Sequence, residues 1–258
     1  MSEIIVTTGE NTVEIRLNRP EKRNAVTPEM LRELIEVVEE YGKKSETHIL
    51  ILRGEGDDFF SAGFDISRIP AESTGKVAGN VILDEAVTAL EKYPFPSIAM
   101  LNGPVFGGSC ELAFACDFRL AADHVKMCIP PAKLGLVYSL NGLQRVASVI
   151  GLSNTKKMFL TANIFGIDKL EQMGAVDEVY PLSELPQKVE KLAKTMGGLA
   201  PLSLKGNKAI LNLLAEKQLL PEQEKFVQDL VHESFLSEDA KEGKQAFFEK
   251  RKPAFKGK

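Results

Sequence analysis

The stretch that decides the fold is Asn102-Gly103-Pro104-Val105-Phe106-Gly107-Gly108-Ser109-Cys110-Glu111-Leu112, in which a glycine-rich turn opens an apolar segment. Residues 110–116 are apolar on nearly every side, which predicts a buried helix. Glycines let the backbone approach a ligand closely, and the free N–H groups at a helix start favour negative charge. The turn therefore predicts either a site that stabilises an anion or close packing of a helix on a sheet, and both interpretations fit this segment equally.

Glu111 is the one acidic side chain in that apolar helix. Burial disfavours the charged carboxylate whereas the start of a helix favours it, so Glu111 is a candidate for proton transfer. The alternative is a glutamate that only compensates the helix dipole. Ser109 is a weaker candidate for a nucleophile, because the pattern G-x-S-x-G fails where Glu111 replaces its last glycine.

A second glycine turn lies earlier in the chain, in Phe60-Ser61-Ala62-Gly63-Phe64-Asp65-Ile66, and follows a predicted strand at 48–52. Two separate backbone N–H groups that converge on one oxygen stabilise the oxyanion of a thioester or acyl intermediate. Either turn alone is weak support for such a site. Together, in this order, the two turns predict one.

Strand and helix patterns alternate around these turns. Apolar residues at every second position of 13–17 predict a half-buried strand, and Thr27 as N-cap with Pro28 at the first helical position predicts a helix that ends at Gly42. Further strands are predicted at 97–101 and 118–121, and a further helix at 81–90. Such alternation predicts an α/β layer architecture with some parallel strand pairing.

After Val179 the strand patterns stop. Helical patterns follow at 184–196, 201–214, 221–236 and 238–250. We therefore divide the chain into an α/β core, residues 1–195, and a C-terminal helical region, residues 196–258.

The composition is that of an average soluble globular protein, with 258 residues, 44% hydrophobic and 26% charged. Three cysteines without CxxC spacing predict reduced thiols in the cytoplasm, and three scattered histidines give no metal-ligand spacing. The net charge of −4 argues against nucleic-acid binding, and the sequence has neither a signal-peptide pattern nor an apolar run long enough for a membrane span. The net charge conceals a basic tail, since residues 241–258 hold seven basic and two acidic residues.

The motifs Asn18-Arg19-Pro20, Asn24-Ala25, Phe60 to Ile66, Asn102-Gly103, Gly107 to Leu112 and Phe248 to Pro253 stand in this order along the chain. With them the chain resembles the crotonase (enoyl-CoA hydratase/isomerase) superfamily over nearly its whole length. The resemblance implies a crotonase (ClpP-like) spiral of ββα units with a C-terminal helical trimerisation region, often as a dimer of trimers. It also implies an acyl-CoA thioester as substrate, with coenzyme A as part of that substrate and no separate cofactor.

Carried over by position, the resemblance implies that the N–H groups of Phe64 and Gly108 hold the thioester oxygen and stabilise an enolate, with Glu111 and Tyr138 as the other catalytic residues. The basic tail then becomes a candidate contact for CoA phosphate or adenine, reached from the same or a neighbouring subunit. The residues expected to bind substrate or CoA are Asn24, Ala25, Ala62, Gly63, Asp65, Ile66, Gly107, Pro131, Phe247 and Lys250.

One departure from the family pattern points to the reaction. Typical hydratases carry a second glutamate where this chain has Pro131, and a proline cannot transfer a proton. Members similar to methylmalonyl-CoA decarboxylase carry a tyrosine at the place of Tyr138. We therefore expect decarboxylation of a malonyl-CoA-type thioester such as methylmalonyl-CoA. Hydration or isomerisation of an enoyl-CoA with a single glutamate, acyl-CoA hydrolysis and non-catalytic acyl-CoA binding remain the alternatives, and Tyr138 is equally a half-buried tyrosine with a satisfied hydroxyl.

Overall fold

The computed structural model describes residues 2–44, 49–65, 67, 78–215 and 221–254. Strands and helices alternate up to residue 180, and the elements described after it are all helices. The strands are β1 Ile4–Thr8, β2 Thr12–Leu17, β3 Ile49–Gly54, β4 Ser97–Leu101, β5 Val105–Phe106, β6 Phe118–Ala122, β7 Lys126–Cys128, β8 Phe165–Gly166 and β9 Glu178–Tyr180. The helices are α1 Pro28–Gly42, α2 Ala78–Glu91, α3 Ser109–Ala115, α4 Leu140–Thr161, α5 Ile167–Met173, α6 Leu185–Gly197, α7 Pro201–Ala215, α8 Pro221–Leu236 and α9 Glu238–Phe248.

Two sheets form the frame. The larger has the order β1-β2-β3-β4-β6-β9, with β1 antiparallel to β2 and every other pair parallel. The smaller has the order β5-β7-β8. Strand β4 is buried at every position, as expected of a parallel strand that is covered on both faces. The α/β architecture with parallel pairing predicted from the sequence is therefore confirmed.

The helix boundaries predicted from capping residues are also confirmed. The Thr27 hydroxyl accepts a hydrogen bond from the N–H of Met30 at 3.1 Å, Pro28 is the first helical residue, and α1 ends at Gly42. This cap satisfies one of the free N–H groups at the helix start. Helix α3 is buried along its whole length, as its apolar sequence predicts.

The C-terminal helices pack back onto the rest of this chain. Helix α6 places Leu185, Val189 and Ala193 in the main core. Helix α7 is joined to the large sheet by Lys208, whose Nζ lies 2.6 Å from Asp117 Oδ2 and 3.0 Å from the carbonyl oxygen of Phe95. Helix α9 contacts the short 3-10 helix Pro131–Leu134. The division at residue 195 stays a prediction. Within the described ranges, the helices are too short or too polar to cross a membrane.

Candidate active site

The two glycine turns meet in backbone contact. Ser61 and Val105 form a parallel bridge, and the N–H of Phe106 donates to the carbonyl of Ser61 at 2.9 Å. Gly63 adopts φ +96°, and a Cβ added to it would lie 2.6 Å from the carbonyl oxygen of Phe106. A side chain at position 63 would therefore push the two turns apart. The sequence predicted that the turns converge, and the fold brings them together.

The turns leave two N–H groups free for a ligand. Val26 pairs with Phe64 through hydrogen bonds from Val26 N to Gly63 O and from Asp65 N to Val26 O, so the N–H of Phe64 is bypassed. The N–H of Gly108 stands directly before α3. In the part of the chain that the structure describes, neither amide donates to a backbone or side-chain acceptor. Both residues line the same cavity, as a pair of oxyanion donors requires.

A pair of serines ties the turns together from behind. The hydroxyls of Ser61 and Ser109 lie 2.6 Å apart, and both side chains are fully buried. Ser61 Oγ donates to the carbonyl of Asn24 at 2.7 Å, so the shared hydrogen comes from Ser109. The Ser109 hydroxyl is therefore committed to its neighbour, which argues against its use as a nucleophile.

The cavity beside the turns has a volume of about 800 Å³, and its lining is predominantly apolar. It is large enough for a substantial part of an acyl-CoA ester. Of the residues predicted from the sequence, it is lined by Ala62, Gly63, Phe64, Gly107, Gly108, Glu111, Pro131, Tyr138 and Phe247. The other predicted residues that are described, Asn24, Ala25, Asp65 and Lys250, do not line it, and Ile66 lies outside the described residues.

The side chains of Asn24 and Asp65 hold the turn at residues 60–66 in place, and the predicted contact of this backbone with CoA stays a prediction. The Asn24 amide donates to the carbonyls of Glu55 and Phe59 at 2.9 Å each. Asp65 pairs with Arg19 at 3.2 Å. Partial burial works to raise the pKa of Asp65, but hydrogen bonds from Ser67 and Arg19 outweigh it, and the pKa is lowered. Both side chains are thus occupied by contacts within the protein.

The cations that line the cavity do not include Lys250, which was predicted from the sequence as a CoA contact. Lys250 is exposed just beyond α9, whereas Arg251, one residue further, lines the cavity and pairs with Glu242 through Nη2 at 2.9 Å. Arg23 and Lys133 line it as well. The contact of the tail with CoA phosphate or adenine stays a prediction, and Arg251 is the tail cation that lines the cavity.

Glu111 and Tyr138 form the polar pair of the cavity. Tyr138 donates its hydroxyl hydrogen to Glu111 Oε1. Burial raises the pKa of the Glu111 carboxyl above its usual range, although Tyr138 and Arg145 both oppose that shift. Burial and the neighbouring Glu111 charge also raise the pKa of Tyr138 well above its usual range. The tyrosine is therefore a neutral hydrogen-bond donor to the glutamate.

Arg145 completes this pair and was not predicted from the sequence. Its Nη1 lies 2.9 Å from Glu111 Oε2, its Nε lies 2.7 Å from Glu91 Oε1, and its Nη2 lies 3.3 Å from Asp84 Oδ1. Asp84 also lines the cavity, which gives the site a second carboxylate that the sequence analysis missed. A buried glutamate signals that a partner exists, but no local pattern identifies a partner 34 residues away.

Comparisons with known proteins agree with this geometry. The profile described as Enoyl-CoA hydratase/isomerase matches residues 7–258. A crotonyl-CoA hydratase of Syntrophomonas wolfei is 32% identical in an alignment of 258 positions. The alignment covers 98% of this chain and 97% of that protein.

Solved structures share the fold of this chain. A methylmalonyl-CoA decarboxylase in complex with 2-nitronate-propionyl-CoA superposes with a TM-score of 0.94 at 27% identity, covering 100% of this chain and 99% of the other. An enoyl-CoA hydratase/carnithine racemase from Magnetospirillum magneticum superposes with a TM-score of 0.81 at 29% identity, covering 100% and 97%.

Proposed function

Because the chain belongs to the enoyl-CoA hydratase/isomerase family and is a crotonase-superfamily enzyme that acts on acyl-CoA, we propose that its reaction is the decarboxylation of a malonyl-CoA-type thioester. The observation that carries the proposal is the hydrogen bond from Tyr138 to Glu111 in a cavity that is also lined by Pro131, the position at which the resemblance to hydratases implies a second glutamate. Decarboxylation forms an enolate without a base to remove a proton, so a site with one glutamate suits it.

The two glycine turns hold the substrate thioester during the proposed reaction. The N–H groups of Phe64 and Gly108 donate to the thioester oxygen. As the bond between the α-carbon and the carboxylate breaks, its electron pair enters the enolate, and CO₂ leaves. The α-carbon then takes a proton from solvent, which gives the shorter acyl-CoA. The two N–H groups supply the main stabilisation because negative charge develops on the oxygen they hold.

The charge around Glu111 favours the same outcome. Asp84, Glu91 and Glu111 surround the single guanidinium of Arg145, so the cluster is negative when all three are ionised. Such a cluster repels a substrate carboxylate and does not repel CO₂. Binding of the CoA portion at a distance from the reacting bond offsets that repulsion in the bound state.

The relatives support two different reactions. The TM-score of 0.94 with methylmalonyl-CoA decarboxylase supports decarboxylation. The name of the 32% identical relative supports hydration of an enoyl-CoA, and Asp84 at the cavity supplies the second carboxylate that hydration would use. Enoyl-CoA hydration is therefore the second candidate.

One experiment separates the candidates. The purified protein is incubated with methylmalonyl-CoA, malonyl-CoA and crotonyl-CoA separately, and the CoA esters are resolved by liquid chromatography. We expect propionyl-CoA or acetyl-CoA from the first two substrates. Formation of 3-hydroxybutyryl-CoA as the only product would reject decarboxylation and favour hydration. Release of free CoA thiol would indicate a hydrolase.

The remaining expectations also stand as proposals. We place the active enzyme in the cytoplasm as a homotrimer or a dimer of trimers, without a cofactor beyond the CoA of its substrate. Several apolar side chains of α7 are exposed in the single chain, Leu202 at 86% and Leu211 at 63%. Side chains of this kind favour an oligomer, because large exposed apolar groups are usually covered at interfaces.

A further inference from the structure

Arg145 is buried and does not line the cavity, yet it is bonded to the acid that does. Its guanidinium contacts carboxylates from two helices, Asp84 and Glu91 of α2 and Glu111 of α3, while Arg145 itself lies on α4. The side chain thus joins three helices at one point. A guanidinium suits this task because its donors point in fixed directions and its charge is not lost at ordinary pH.

Both oxygens of Glu111 are occupied in this arrangement. Oε2 accepts from Arg145, and Oε1 accepts from Tyr138. The direction of the second hydrogen bond depends on the first. A protonated Glu111 could donate to the tyrosine oxygen, but a carboxylate held by Arg145 can only accept. The tyrosine hydrogen is thereby committed to Glu111.

We propose that Arg145 is a positioning residue that holds Glu111 as a carboxylate and so turns the hydroxyl hydrogen of Tyr138 onto Glu111, which leaves the tyrosine oxygen lone pairs to face the substrate. The role of Arg145 in positioning Glu111 and Tyr138 is argued from the geometry. It rests on the proposed function only in the choice of the reaction that is assayed. Lone pairs aimed at a substrate carboxylate repel it, whereas a hydroxyl hydrogen aimed at it would hold it in place. The orientation of Tyr138 therefore favours departure of CO₂.

The charged and titratable groups that face this pair come from each neighbouring element. They are Asp84 and Glu91 on α2, Cys110 on α3, Tyr138 before α4 and Arg145 on α4. Arg145 is the only cation among these described groups. Its loss leaves the remaining carboxylates to repel the charge of Glu111, which raises the pKa of Glu111. Activity that needs the Glu111 carboxylate is present above that pKa and is lost as the pH falls through it.

The test measures kcat against pH for three variants. In Arg145→Met we expect the acid limb to move upward by about one pH unit or more and kcat at pH 7 to fall about 10-fold. Glu91→Gln removes a competing carboxylate and leaves Arg145 in place, so we expect a smaller shift in the opposite direction. Arg145→Lys keeps the charge and should retain the acid limb near its original pH with a lower kcat.

Arg119→Met is the matched control. Arg119 is also a buried guanidinium with a carboxylate partner, Asp177 at 3.0 Å, but it does not line the cavity and has no contact with Glu111. It should lower stability without moving the acid limb. An unchanged acid limb in both Arg145→Met and Glu91→Gln overturns the inference, and Arg145→Lys with Glu91→Gln still decides it if Arg145→Met does not fold.

A second readout is independent of the reaction. Carbon-13 labelling of glutamate carboxyl groups, with Glu111 assigned through Glu111→Gln, follows the titration of Glu111 directly by NMR. We expect its midpoint to rise in Arg145→Met and to fall in Glu91→Gln. If these shifts occur but no malonyl-type thioester is decarboxylated, the proposed function fails and the role of Arg145 holds. If decarboxylation occurs and neither midpoint moves, the role of Arg145 is rejected.

Discussion

The hydroxyl of Tyr138 is one atom on which the proposed chemistry depends. Tyr138→Phe removes that oxygen and keeps the ring, which contacts Phe159 edge-to-face at 5.0 Å. We expect kcat for decarboxylation to fall about 100-fold and KM to fall as well, because the repulsion of the bound substrate carboxylate is lost. Tyr180→Phe is the control, because it also removes a tyrosine-to-glutamate hydrogen bond but lies on the surface. Equal effects of the two substitutions would contradict the role of Tyr138.

Gly63 tests the contact between the two turns. Gly63→Ala places a methyl group against the carbonyl of Phe106, so it should displace the N–H of Phe64. We expect kcat to fall about 100-fold, as for the loss of one oxyanion donor. Gly56→Ala is the matched control, because Gly56 also has a positive φ, +74°, but no atom within 4 Å of the added methyl. Steady-state kinetics should show a loss only for position 63, although both substitutions strain the backbone.

At this scale the sequence predicted the groups that lie in short motifs and missed those that act across the fold. Gly63, Gly108 and Glu111 lie in short sequence motifs, and each motif predicts a glycine turn or the start of a helix. Arg145 and Asp84 carry no such pattern, since their partners are distant in the chain and only the packing of α2, α3 and α4 brings them together. Charge pairing of this kind is decided by three-dimensional placement.

Among the elements, α9 forms one wall of the cavity. A Cβ at Gly243 would lie 2.5 Å from the backbone of Leu134, so Gly243→Ala should move α9 away from the 3-10 helix that it covers. Since Phe247 and Arg251 line the cavity, we expect KM for the acyl-CoA to rise about 10-fold, which corresponds to about 1.4 kcal/mol of binding, with kcat nearly unchanged. Gly206→Ala on α7, where the added methyl has no neighbour within 4 Å, should leave KM unchanged.

Lys208 ties helix α7 to residues that flank the large sheet. Lys208→Met leaves Asp117 without its cation, and we expect the free energy of unfolding to fall by about 2 kcal/mol in chemical denaturation, less than for a fully buried pair because Asp117 is partly exposed. Lys188→Met removes an exposed ion pair with Glu184 and the contact of the Lys188 ammonium with the ring of Tyr180. It should change the free energy of unfolding by less than about 0.5 kcal/mol.

Element prediction succeeded where the apolar pattern was regular and failed where it was interrupted. The C-terminal helices α6 to α9 were predicted because the strand signals stop and helical spacing continues. Helix α4, Leu140–Thr161, was missed although it is long, because it is kinked at Gly151, where φ is +73°. The kink prevents one continuous apolar stripe, which is the signal that sequence reading uses.

For the whole molecule, we expect light scattering after size-exclusion chromatography to give the mass of three or six chains of 28.3 kDa. The double variant Leu202→Asp, Ile210→Asp places charge on exposed apolar positions of α7 and should lower that mass. A wild-type protein with the mass of one chain would contradict the proposed oligomer. The sequence left open whether the tail serves its own subunit or a neighbour, and Phe247 lines the cavity of its own chain.

The position of the cavity wall that α9 and the residues after it form has a consequence for the synthesis of the enzyme. The oxyanion turns, Glu111 and Arg145 all lie within residues 61–145, whereas Phe235, Gly243, Phe247, Arg251 and Pro253 close the cavity from the end of the chain. Residues up to Pro253 must therefore be synthesised before the lining of the cavity is complete. Nascent and prematurely terminated chains hold the reactive groups without that wall, so we expect them to be inactive.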